Sequence, residues 1–170
     1  MYAKCGFLEE AQIMFEKLPV RDVVSATILL SGYIEHGFNA EALVIFEEIQ
    51  QVGIVSNAIT YVCGLKACSS IRNVDKGQQL HADVVKEGFE MDKSVACGLV
   101  DMYVKCGMLR KARQVLDELH DRDTVCWSSL IAGYVHEGQS SEALKCFEDM
   151  RKEGVCPNEV TFISILKACG

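Results

Sequence analysis

The hexapeptide Met-Tyr-Ala-Lys-Cys-Gly at residues 1–6 returns as Met-Tyr-Val-Lys-Cys-Gly at 102–107, an offset of 101 residues. The offset holds to the end of the chain. Arg21-Asp22 matches Arg122-Asp123, and Gly32-Tyr33 matches Gly133-Tyr134. Glu41-Ala42-Leu43 matches Glu142-Ala143-Leu144, and Leu65-Lys66-Ala67-Cys68 matches Leu166-Lys167-Ala168-Cys169. A period kept without one inserted residue excludes a single irregular core. It requires copied elements, each burying its apolar face on the next, with function written in the few positions that vary on one face.

The long period divides again. From Val23, an apolar run (Val24, Ile28, Leu29, Leu30, Tyr33, Ile34) ends at Gly37. A second run then places Ala42, Leu43, Phe46 and Ile49 at helical spacing and ends at Gly53. Glycine just past each run is a helix stop, so residues 23–57 are predicted as two short antiparallel helices, an αα-hairpin. Residues 124–158 repeat the plan, with stops at Gly138 and Gly154 and a second stripe of Ala143, Leu144, Phe147 and Met150. Leu43, Phe46, Leu144 and Phe147 are expected to pack between hairpins, because a hairpin cannot bury its own apolar face. Glu47, Glu48, Glu148 and Asp149 are expected on solvated faces. Residues 58–92 carry predicted helices over 60–68 and 74–86, and residues 93–123 over 95–104 and 109–119. Residues 1–22 and 159–170 are the back and front parts of flanking repeats. The pattern predicts an all-α fold, an α-solenoid of stacked helix-turn-helix repeats.

Charge narrows the function. The formal net charge of −7 has the wrong sign for binding nucleic acid through phosphate neutralisation alone. The uncharged runs at 23–34 and 54–65 fall well short of the ~20 residues that span a bilayer, so no membrane association is expected. Nine cysteines, an odd number, point to free thiols in a reducing compartment. Those that recur by position, Cys5 with Cys106 and Cys68 with Cys169, suit small buried apolar sites. No Cys-x-x-Cys occurs and His36, His81, His120 and His136 are scattered, so neither a metal site nor a catalytic cysteine is expected. There is no phosphate-binding loop, no nucleophile–base arrangement and no deaminase signature. The chain reads as a non-enzyme with no cofactor and no small-molecule substrate.

The motifs resemble one family closely. They include Met-Tyr-x-Lys-Cys-Gly at 1–6 and 102–107, Arg-Asp-Val-Val-Ser at 21–25 and Cys-Trp-Ser-Ser-Leu-Ile-Ala-Gly-Tyr at 126–134. Glu142-Ala143-Leu144 through Met150, Gly154 through Phe162, Leu166 through Cys169 and Gly77 through His81 add to them. The chain resembles a plant pentatricopeptide repeat protein with alternating P, L and S repeats, which implies a right-handed α-solenoid of the tetratricopeptide-like superfamily. Repeat lengths of 35, 35 and 31 residues for 23–57, 58–92 and 93–123 fit that order. It makes 1–22 a partial S, 124–158 a second P and 159–170 a partial L repeat.

The resemblance implies sequence-specific binding of single-stranded RNA, one base per repeat, in a mitochondrial or chloroplast factor for RNA editing or processing, with editing-complex proteins as further partners. In that family the fifth and last residues of each repeat read the base and the second sandwiches it. Carried over, Val24 lies on the base with Thr27 and Asn57 at its edge, and Val125 with Ser128 and Asn158. Both pairs resemble the adenine-reading type. The L repeat offers Ile59, Val62 and Asp92, of which Val62 cannot hydrogen-bond. The S repeat offers Ser94, Cys97 and Asp123, with cysteine where the family usually has asparagine. Asp22, Val160 and Ile163 belong to the incomplete repeats. The implied ligand is A-x-x-A, weakly bound by so few repeats. The chain is expected to be a fragment, its targeting segment and any editing extension lying outside it. The competing reading is a protein-interaction solenoid of tetratricopeptide style, whose peptide ligands give no reason to keep the fifth-and-last pairing.

Overall fold

The computed structural model describes residues 8–18 and 22–169. The motif at 1–6, with Cys5, lies outside them. Among the described residues there are ten helices and no strand. No helix is long and apolar enough to cross a membrane. The chain forms two compact halves, residues 1–89 and 90–170.

In the first half the helices are α1 (Leu8–Glu16), α2 (Val23–Glu35), α3 (Asn39–Gln51), α4 (Ala58–Ile71) and α5 (Val74–Lys86). α2 packs on α1, α3 and α4, while α4 also packs on α3 and α5. The α2–α3 turn follows from Gly37, whose φ of 82° suits a residue without Cβ. Its N–H donates to Ile34 O and that of Phe38 to Tyr33 O, the paired bonds that close a helix end. Ala42, Leu43, Phe46 and Ile49 are buried as predicted. Gly64 lets α4 nest closely, since a Cβ there would stand 3.2 Å from Leu80 and 3.3 Å from Phe46.

The second half holds α6 (Lys93–Lys105), α7 (Leu109–Glu118), α8 (Thr124–His136), α9 (Ser140–Lys152) and α10 (Glu159–Cys169). α8 packs on α6, α7, α9 and α10. Trp127 is fully buried, with the Arg113 guanidinium 5.4 Å from its ring centre. Arg113 also binds Asp149 of α9 at 3.0 Å. In the first half Lys76 of α5 meets Glu47 of α3 at 2.6 Å. Thus Glu47 and Asp149, expected to be merely solvated, tie successive second helices together.

Three expectations need correction. α4 is longer than 60–68, because Asn57 caps it at Ala58 and no glycine stops it before Arg72 closes it with φ of 54°. Leu144 is exposed, and Cys146 fills the buried place on α9 instead. Beyond the counterpart Leu43, α4 is itself backed by α5, whereas no helix among the described residues backs α10. Cys169, counterpart of the buried Cys68, is exposed at the end of α10 for the same reason.

Candidate functional site

The first helix of every hairpin begins with the same construction. Its N-cap is the residue numbered last in the preceding repeat: Asp22, Asn57, Asp92 or Asp123. Asn158 does the same for α10, accepting from Thr161 N at 2.9 Å. These side chains take up backbone donors that a helix start leaves without partners. Asn57 Oδ1 accepts from Thr60 N at 2.9 Å and from Thr60 Oγ1 at 2.9 Å, and the Thr60 hydroxyl in turn accepts from Asn57 N at 3.4 Å.

The cap fixes the amide. The atom facing a backbone N–H must be the carbonyl oxygen, so Nδ2 is turned the other way. Neither Asn57 nor Asn158 uses Nδ2 in a hydrogen bond among the described residues, and in neither is that atom buried. Both amides therefore present a free donor. Asp22 is held in the same way by Ser25, whose N–H donates to Oδ1 at 2.8 Å and whose hydroxyl donates at 2.7 Å. The Ser25 backbone N–H, then its hydroxyl, keep the Asp22 carboxyl below its ordinary pKa. Asp92 accepts from Ser94 N and Val95 N, both at 3.0 Å.

The fifth residue of the preceding first helix comes to the same place. Thr27 Oγ1 lies 3.0 Å from Thr60 Oγ1, and so reaches Asn57 through that hydroxyl. Ser128 Oγ contacts Asn158 Oδ1 directly at 3.1 Å and Thr161 Oγ1 at 2.7 Å. Thr27 and Ser128 also donate to carbonyls one turn back, Val23 O and Thr124 O, each at 2.6 Å. Cys97 Sγ stands 3.6 Å from Asp123 Oδ1. Three of the four expected pairs are brought together. Val62, half-buried on α4, and Asp92, the cap of α6, belong to different halves.

The expected sandwiching residues are exposed. Val24, Ile59 and Val125 are 61%, 61% and 60% accessible, which removes core packing as the reason for their apolar character. Ser94 is exposed as well. Sequence reasoning missed Thr60 and Thr161, the fully buried hydroxyls that link reader to cap. Their signal was present as Asn-x-x-Thr at 57–60 and 158–161, a helix-start pattern.

The cysteine expectation fails at one pair. Cys97 and Cys126 form a disulfide, where free thiols were expected, because α6 and the start of α8 bring their Cα atoms to 5.3 Å. The two sulfurs and an Asp123 oxygen lie within 4.8 Å of one another and are a possible ion-binding group among the described residues. Bonded to each other, the sulfurs offer no thiolate.

Paired helices packed one on the next within each half, with a capping Asp or Asn at each first-helix start and an exposed apolar residue beside the cap in all but α6, define a helical repeat protein. Family profiles agree: the PPR repeat family matches residues 122–170, the pentatricopeptide repeat domain 20–70, and the PPR repeat 1–23 and 97–123. The chain belongs to the pentatricopeptide repeat family. Among its relatives, a pentatricopeptide repeat-containing protein of Arabidopsis thaliana is 40% identical over 99% of this chain, which spans 23% of that protein. The chloroplastic Arabidopsis protein DOT4 is 37% identical over 98% of this chain and 19% of its own length. A mitochondrial relative from the same plant is 36% identical over 100% of this chain and 25% of its own length. Two solved structures share the fold. PPR10 from maize has a TM-score of 0.74 at 23% identity, covering 98% of this chain and 25% of that one. PPR10 in complex with an 18-nt psaJ RNA element has a TM-score of 0.78 at 20% identity, covering 98% and 26%.

Proposed function

We propose that the chain is a run of P, L and S repeats, bounded as 23–57, 58–92, 93–123 and 124–158, that binds single-stranded RNA one base per repeat. It acts as a non-enzymatic scaffold within a mitochondrial or chloroplast RNA editing or processing factor. One observation carries this reading: a hydroxyl and a capped asparagine recur together in both P repeats, each beside an exposed valine.

The chemistry favours adenine there. Its pairing edge offers an acceptor at N1 and a donor at N6. The free Nδ2 of Asn57 or Asn158 donates to the acceptor, and the Thr27 or Ser128 oxygen has a lone pair for the donor. Guanine offers N1–H where adenine offers N1, and that faces a second donor. A carboxylate in the asparagine's place reverses the preference. Stacking on Val24 or Val125 is indifferent to the base, so the edge contacts decide. The RNA-bound PPR10 structure, with the same fold, supports the RNA reading, and the mitochondrial and chloroplastic relatives support the location.

The test carries the intact chain between additional capping repeats and titrates RNA with A-x-x-A in register against the same RNA with both A changed to G, at fixed salt. Tighter binding to the adenines is expected. Equal binding sinks the code, and no binding to either, with helicity retained, favours the protein-interaction solenoid.

A further inference from the structure

The three reading clusters share one plan, and one of them carries a substitution. In the first P repeat the hydroxyls of Thr27 and Thr60 meet at 3.0 Å beside Asn57. In the second, those of Ser128 and Thr161 meet at 2.7 Å beside Asn158. In the S repeat both hydroxyl places hold cysteine, Cys97 and Cys126, beside Asp123. Where the P repeats place a hydrogen bond between reader and cap, the S repeat places two sulfurs able to join covalently. Their Cα separation of 5.3 Å lies within the range a disulfide bridges without backbone movement.

We propose that Cys97 and Cys126 are a reversible thiol–disulfide exchange site, reacting with a low-molecular-weight disulfide of the glutathione class, and that oxidation withdraws the S repeat from base reading. The second part rests on the RNA reading above. In the reduced state the Cys97 thiol stands where Ser128 stands in the P repeat, near enough to Asp123 Oδ1, at 3.6 Å, for its S–H to donate. It then keeps a polarisable sulfur for the base edge. In the oxidised state Cys97 has no proton and its sulfur is tied to the buried Cys126. Asp123 alone remains, with Oδ1 engaged by Cys126 N at 3.0 Å.

The exchange balances. Cys97, the more accessible of the two, loses its proton and attacks the oxidant's disulfide, releasing one oxidant thiol and leaving a mixed disulfide. Cys126 then loses its proton and attacks the Cys97 sulfur, expelling the second oxidant thiol. The two protein thiols give up two electrons and two protons, and the oxidant disulfide becomes two thiols. Excess reduced thiol reverses both steps.

The test equilibrates the full chain with mixtures of reduced and oxidised glutathione, blocks remaining thiols, and maps linked tryptic peptides. Peptides 94–105 and 123–145 are expected joined under oxidising mixtures and separate under reducing ones. Cys126→Ala, which leaves Cys97 in place, should show no such pair. RNA variants at the S-repeat base are then titrated against the chain in its capped array. The reduced protein should prefer one base by about 5-fold or more, and the oxidised protein should lose that preference and regain it on re-reduction. A different cysteine pairing, or retained preference after oxidation, overturns the proposal. So does zinc held by the reduced protein and lost in Cys97→Ser, which would make the cluster a metal site. If RNA binds in neither state, the RNA reading and its gating fall together, while the peptide map still decides the exchange chemistry.

Discussion

Asn57 and Asn158 each combine a shown role with a proposed one: Oδ1 caps a helix, and the unengaged Nδ2 is the donor proposed to meet a base. Aspartate can cap equally well, so Asn57→Asp and Asn158→Asp separate reading from folding. Each is expected to leave the melting temperature nearly unchanged and to turn an adenine preference toward guanine, by about 1–3 kcal/mol if the contact matches a good base contact in DNA. Paired RNA titrations and thermal melts check both halves of that statement. Thr161→Val tests the link instead. It keeps the shape but removes the hydroxyl that bonds both Ser128 and Asn158, leaving the Asn158 backbone N–H without that acceptor and only the direct Ser128–Asn158 contact. A loss of about 1–2 kcal/mol in stability is expected, together with a weaker base preference at that repeat. Intact preference in a folded Thr161→Val protein would confine Thr161 to capping.

At the scale of the helix, starts and stops were the most legible features, since each has a local chemical cause. Gly37, Gly53, Gly138 and Gly154 all adopt positive φ, as their places after apolar runs predicted. α4 starts at Ala58, two residues ahead of the apolar pattern, because the Asn57 cap rather than the first apolar residue sets its start. Leu144 was misplaced because periodicity shows that a face is apolar, not whether a neighbour covers it. The Cys97–Cys126 bond was invisible for a related reason: it joins first helices of adjacent repeats, 29 residues apart, and no local spacing signals it. Close helix approach was equally hidden. A Cβ at Gly133 would stand 2.6 Å from Val104 and 2.9 Å from Leu109, so Gly133→Ala overpacks α8 against α6 and α7. It is expected to cost about 1–3 kcal/mol, read as a lowered midpoint in urea. The start of α2 carries a pH dependence of definite sign. The Asp22 pKa is lowered from 3.8 by bonds made in the folded state, so its stabilising effect is complete above the unfolded value and fades as pH falls through the folded one. NMR titration should place the Asp22 midpoint below 3.8, and Asp22→Asn should remove that part of the acid dependence. A midpoint at or above the ordinary value would mean that the cap is not formed in solution.

Across the whole chain, 24 acidic residues outnumber 17 basic ones. The residues proposed to meet RNA are apolar, neutral or acidic: Val24, Thr27, Asn57, Val125, Ser128, Asn158, Asp92 and Asp123. A binder that gains affinity by neutralising phosphates loses it steeply with salt, with a log–log slope of about −0.7 per phosphate on a single strand. The proposed base reading works the other way, with edge contacts and stacking setting the selectivity of the chain. Its binding should therefore show a slope no steeper than about −2, equivalent to roughly three phosphates. The preference for A-x-x-A over G-x-x-G should persist at every salt concentration where binding is measurable. Because the two proposed readers belong to separate halves and share no side chain, Asn57→Asp and Asn158→Asp should also combine additively, within about 0.5 kcal/mol. Titrations at four salt concentrations, with both single variants and the double variant, measure all three quantities. A slope several-fold steeper, with a base preference that vanishes as salt rises, would show electrostatic attachment with no reading, and would move the source of specificity outside these repeats.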